Sequence, residues 1–273
     1  MAEDRICIVD SATSLKDQAR GKVVVAGSQG SPLPANLVAR AGAIACVLHD
    51  AGVGKDEAGV SALPYCDNLA MAAATVDYKS ARISDAKDMM ARGVISRANA
   101  LAAKLSVKPG MKCSEAAALL TRAAAPKSVP APYDEDKGRW LAKTGANGMK
   151  VWALDSNSLM RPDDAGQIVL TGSHGGLVGG NPDSALRVRA HAALFNDAGI
   201  CPDGSSTSRL AVLDQWGIAA ATVSAASARI SDGRSSYNDG VLSMVNERGK
   251  AVGGRVGMSA REFCDLVLRA AGG

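Results

Sequence analysis

Aromatic residues are scarce: three Trp, four Tyr and two Phe make up 3% of the 273 residues. An aromatic-rich β-sandwich is therefore not expected, and the Ala-, Val-, Leu- and Ile-rich apolar fraction fits an α/β chain better. No apolar run reaches the roughly 18 residues of a membrane span, so no membrane partner is expected. Met1-Ala2-Glu3-Asp4 carries neither the basic nor the apolar stretch of a signal peptide. The six cysteines (Cys7, Cys46, Cys66, Cys113, Cys201, Cys264) show no CxxC spacing. Both features lead to the expectation of a cytoplasmic protein with reduced thiols.

Charge of one sign is also lacking. The net charge is +4, with Lys and Arg scattered among Asp and Glu. No basic block is interleaved with aromatics, so a nucleic-acid partner is not expected. GxGxxG, GxxxxGK[ST] and GxSxG are absent, which removes the nucleotide fingerprints and the nucleophile elbow. Nothing resembles HExxH, a Cys–His finger or an EF-hand, and neither a metal nor a cofactor is expected. A carboxylate metal site drawn from Asp197, Asp203 and Asp232 is the weaker alternative. The length suits one large or two small domains and allows a sizeable core.

What the chain does contain is an internal duplication. Gly27-Ser28-Gln29-Gly30 returns as Gly172-Ser173-His174-Gly175, and Asp50-Ala51-Gly52 returns as Asp197-Ala198-Gly199. Ala73-Ala74-Thr75-Val76 returns as Ala220-Ala221-Thr222-Val223, and Ser80-Ala81-Arg82-Ile83-Ser84-Asp85 as Ser227-Ala228-Arg229-Ile230-Ser231-Asp232. From residue 49 to 120 one offset of 147 holds without a gap, and roughly a third of the positions are identical. Upstream the offset is 145. The expected organisation is a first α/β repeat over 1–122, a Pro-rich linker over 123–148 and a second α/β repeat over 149–273. Trp140 and Leu141 are expected to dock a short helix. Two tandem Rossmann-like units then follow, with mostly parallel sheets, helices on both faces and a pseudo-two-fold axis between them. A homo-oligomer is left open.

Continuous rather than alternating apolar runs predict strands buried on both faces at 5–9, 23–26, 43–48 and 71–76, and at 151–154, 168–171, 192–195 and 218–223. Helical periodicity is read at 34–42, 57–69 and 86–103, and at 183–191, 205–215 and 233–248, with a last helix starting near 114 and 260. This alternation predicts a doubly wound layout, in which ligands lie beyond the strand carboxyl ends.

The polar residues that both copies share fall at those ends: Asp10-Ser11 and Asp155-Ser156, Ser28 and Ser173, Asp50 and Asp197, and Ser80 to Arg82 with Ser227 to Arg229. Gly172, Gly175 and Gly176 suit a backbone anion nest. Arg82 and Arg229 suit a carboxylate or phosphate clamp, or else an ion pair with Asp85 and Asp232. His174 is the candidate acid or base, oriented by Asp197 and joined by Ser173. Asp50 and Asp197 also read as turn-forming residues.

The expected function is an enzyme acting on a small anionic or amide substrate. Hydrolysis of a C–N bond in a small amide or cyclic amide is the first candidate. A lyase or isomerase of a small carboxylate, or a non-catalytic small-anion binding module, is the alternative.

Overall fold

The computed structural model describes residues 3–272. In the first half, β1 (Ile6–Val9), β2 (Val23–Gln29), β3 (Ala45–His49), β4 (Ala72–Val76) and β5 (Ile95–Ala98) form a five-stranded sheet in sequence order. β1 to β4 are parallel and β5 is antiparallel to β4. The second sheet has six strands. β6 (Arg139–Thr144) runs antiparallel to β7 (Lys150–Leu154), and β8 (Ile168–His174), β9 (Ala192–Asn196) and β10 (Ala219–Val223) continue it in parallel. β11 (Leu242–Val245) closes the other edge in antiparallel fashion.

The sequential strand order corrects the doubly wound expectation. With right-handed crossovers, strands added always on the same side place the connections between parallel strands on one face. Helices α1 (Pro32–Arg40) and α2 (Ala62–Asn68) accordingly pack on one face, where Val38, Leu63 and Cys66 meet Val24, Cys46 and Ala73. The opposite face carries α3 (Ala86–Arg92), α4 (Ala100–Lys104) and α5 (Cys113–Leu120), whose Met89, Ala102 and Leu120 meet Val25, Val47 and Ala74. Both faces are covered, which is why the strands read as unbroken Val and Ala runs. No reversal of strand order exists, so the sheets contain no switch-point crevice.

Three further expectations change. The periodic stretches 86–103 and 233–248 are each broken by a short antiparallel strand, β5 and β11. The segment 183–191 forms no α-helix. Only 3-10 turns at Val178–Gly180 and Pro182–Ser184 stand where the first half has α1. Gly179, Gly180 and Pro182 cannot sustain the helical turn that Leu33 to Arg40 provide. Trp140 and Leu141 lie in strand β6, not in a helix, and the Trp140 ring meets Tyr237 edge-on. The second half is completed by α6 (Arg209–Gln215), α7 (Gly233–Asn238), α8 (Glu247–Ala251) and α9 (Ala260–Ala270).

The carboxyl ends of the two sheets abut. Gly52 and Gly199 meet so closely that a Cβ on either would lie 2.7 Å from the other's Cα, and both sit at positive φ. Glycine is required there on both counts. Ala51, Ala58, Ile83, Ala198, Cys201 and Ile230 form a small apolar cluster at this junction. All six cysteines are free and buried, and no helix is long and apolar enough to cross a membrane among the described residues.

Candidate functional site

The shared polar residues divide into those that tie the backbone and those that face a cavity. Asp50 Oδ1 accepts the amides of Gly52 and Tyr78, and Asp197 Oδ1 accepts those of Gly199 and Ala225. These carboxylates hold the loops after β3 and β9. Burial raises the Asp50 pKa against the opposing hydrogen bonds of Ser96 and the two amides. Asp155 Oδ1 accepts from the amide of Gly233 and its Oδ2 from the Tyr133 hydroxyl at 2.6 Å, which ties the segment around Tyr133 to the second half. Ser227 Oγ accepts the amide of Val241 and donates to the Ser224 carbonyl. Gly172 lies against Ser231 and Asp232, where a Cβ would meet backbone at 2.4 Å.

Arg82 and Arg229 do not reach the cavity. Arg82 Nε donates to Asp203 of the other half at 2.6 Å. Arg229 donates through Nε and Nη2 to Asp232, at 3.0 and 2.8 Å, and through Nη1 to Asp56 across the junction at 3.1 Å. Asp56 and Asp203 are 147 residues apart, so the two pairs match. Burial raises Asp203, but hydrogen bonds from Ser205 and Arg82 outweigh it and hold the carboxyl at about 2. Asp197, Asp203 and Asp232 do not converge, and no group of three or more His, Cys, Asp or Glu able to hold a metal occurs among the described residues.

The cavity, of about 440 Å³, opens where the ends of β1 and β2 meet those of β7 and β8. That size is in the range of small-ligand pockets. Ser11, Ser28 and Gln29 line it from the first half, and Ser156, Ser173 and His174 from the second. Ser28 Oγ accepts the amide of Ala12, and Ser173 Oγ accepts that of Asn157, both at 2.9 Å. The Ser28 hydroxyl therefore keeps its proton available as a donor, while Ser173 Oγ also lies 3.5 Å from Ser156 Oγ. Leu33, Pro34 and Leu37 of α1 supply an apolar wall, and Asp183 and Arg187 stand at the exposed side.

His174 is buried. Its Nδ1 accepts the Gly176 amide at 3.1 Å, and Nε2 lies 2.9 Å from Ser84 Oγ. The first bond requires an unprotonated Nδ1, so Nε2 carries the hydrogen and donates to Ser84. Burial, then the Arg209 charge, then His49 hold its pKa well below the ordinary value. Asp197 is not a partner. Gln29 Nε2 donates to Ser231 Oγ, also at 2.9 Å. Gln29 and His174 thus make the same cross-junction bond from equivalent places.

Arg209 was not legible as a site residue. It opens α6 and is 2% exposed. Nε donates to the Gly176 carbonyl and Nη1 to those of Ser184 and Ala185, while the guanidinium lies over the Phe195 ring. The Arg209 hydrogen bonds within the described residues run from Nε and Nη1, not from Nη2, and Arg209 lines the cavity. Burial alone lowers its pKa, to about 10, with no carboxylate acting on it. The signal for it was available: the copy of Arg209 at the 147 offset is Ala62. Gly175 and Gly176 serve this arrangement, the first packing on Ser206 and the second giving its carbonyl to Arg209 and its amide to His174.

No protein-family model matches the chain, and neither a curated protein nor a solved structure shows significant similarity to it.

Proposed function

We propose that the protein binds a small anionic metabolite in the cavity between the two sheets, with Arg209 as the charged anchor and Ser28 and Ser173 as hydroxyl donors. The observation that carries this reading is the buried Arg209 guanidinium, which lines the cavity, has no carboxylate partner among the described residues and keeps Nη2 out of its bonds to backbone carbonyls. Backbone carbonyls solvate the guanidinium but bring no opposite charge, and an anionic ligand would supply one. The reading favours a binding site over acid–base chemistry, because both ring nitrogens of His174 are engaged and burial keeps the ring neutral. Hydrolysis of a C–N bond retains one supporting observation: Ser173 and His174 line the same cavity as Arg209.

We also infer that the halves are duplicated units related by a pseudo-two-fold axis. Matched hydrogen bonds at the 147 offset support this, among them Thr75–Ser96 with Thr222–Ser243, and Asn99 with Asn246 on the strand before it. The cavity would then be a site that only the joined pair builds.

Thermal unfolding in excess acetate, hexanoate, sulfate and phosphate tests the binding reading. At a hundredfold excess over Kd, a bound anion stabilises the fold by about 2.7 kcal/mol. Arg209→Gln should remove the effect, and His174→Gln, which copies Gln29, should leave it within about threefold in affinity. Stabilisation by none of the four anions would defeat the reading. Loss of binding in His174→Gln, with turnover of an amide by the native protein, would restore the enzymatic one.

A further inference from the structure

The charges and walls of the cavity restrict the class of anion. Three charged side chains line it: Arg209, which is buried, and Arg187 and Asp183, which are exposed and of opposite sign. With His174 neutral, one positive charge remains in excess. A monoanion balances it. A dianion such as hydrogen phosphate would leave one negative charge in excess over the lining, with only the exposed Arg187, beside Asp183, to meet it. Arg209 also offers one nitrogen rather than its full fork, since Nε and Nη1 are held by backbone carbonyls. The three carbonyls fix the guanidinium, so it meets an anion through one nitrogen rather than as a fork.

The remainder of the lining divides by side. The second half and the β1 and β2 ends supply hydroxyls, whereas α1 supplies Leu33, Pro34 and Leu37. The second half has no helix at the corresponding place, only the turns around Val178 and Pro182. The cavity therefore combines hydroxyls and a buried cation with one apolar wall, that of α1. We infer that the ligand is a monocarboxylate with an apolar substituent, its carboxylate toward Arg209 Nη2 and its tail along Leu33, Pro34 and Leu37. This rests on the anion reading of the cavity and adds the class and the orientation.

Calorimetric titration of the full chain with acetate, butyrate, hexanoate and inorganic phosphate tests it. Each added methylene that enters the apolar side should raise affinity about fourfold, and phosphate should bind more weakly than butyrate. Leu37→Asn should reduce the hexanoate-to-acetate affinity ratio more than tenfold. A flat chain-length series, phosphate binding more tightly than hexanoate, or an unchanged ratio in Leu37→Asn would overturn the class while leaving the anion reading intact. Absence of binding by all four probes would fell the anion reading itself. If Leu37→Asn does not fold, the wild-type series and the phosphate comparison decide alone.

Discussion

Acid should destabilise the fold through the two buried histidines, His49 and His174, and one substitution should remove the share that His49 contributes. His49 is fully buried at the end of β3; Nδ1 accepts the Ala51 amide and Nε2 donates to the Ala81 carbonyl. Burial lowers its pKa from 6.5 to about 4, against the opposing influence of the Ala81 carbonyl, Asp77 and Asp88. The folded state thus holds the proton less tightly than the unfolded chain. Stability is full above pH 6.5 and falls as the pH drops toward 4, because only the unfolded chain gains the proton in that window. At pH 4.5 the two values give a loss of about 2.5 kcal/mol. Asp50 and Asp155 act in the opposite sense, since burial raises their folded pKa values and low pH favours the fold. The wild-type profile is therefore a sum, and a variant is needed to isolate His49. Asn196 supplies the replacement: Nδ2 donates to the Ala228 carbonyl and Oδ1 accepts the Ala198 amide, the same two bonds 147 residues on. His49→Asn should cost roughly 1 kcal/mol at pH 7.5 for the space left unfilled, and should overtake the wild type at pH 4.5. Urea unfolding at the two pH values reads both numbers. Parallel loss of stability in the two proteins would refute a neutral buried His49.

The remaining predictions concern the junction and the thiols. Arg229→Met should leave anion binding unchanged and, because its pairs are partly exposed, cost less than about 1 kcal/mol by urea unfolding; loss of binding would return Arg229 to the site. Gly52→Ala should destabilise far more than Gly148→Ala. Both glycines have positive φ, but a Cβ at Gly52 meets the Gly199 Cα at 2.7 Å and one at Gly148 meets nothing within 4 Å, so only about 1 kcal/mol is expected at Gly148. Alkylation without reductant should label six thiols on the unfolded chain and few on the native one, where burial raises Cys113 to about 12 and Cys264 further still; equal native labelling would contradict their burial.

The strands were legible because parallel strands covered on both faces leave continuous Val and Ala runs, as at Val23 to Ala26 and Ile168 to Thr171. The edge strands β5, β6 and β11 were not, since Ser96, Arg97 and Ser243 interrupt any apolar pattern and the neighbouring Ala and Leu favour helix. The site was legible by position only. Conserved identity between the halves marked Asp50, Asp197, Arg82 and Arg229, and these residues bind the loops and the junction together. Ser28, Ser156, Ser173 and His174 do line the cavity. The residue proposed as the anion anchor differs between the halves, Arg209 against Ala62 at the 147 offset, so a comparison that rewards identity passes over it.

A bromide soak of crystals of the wild-type protein, read by anomalous scattering, tests the anion-anchor account most directly. The account predicts a bromide peak within hydrogen-bonding distance of Arg209 Nη2, on the side of Ser28 and Ser173. Bromide found only at other cationic side chains, with the cavity beside Arg209 empty of anion, would contradict it.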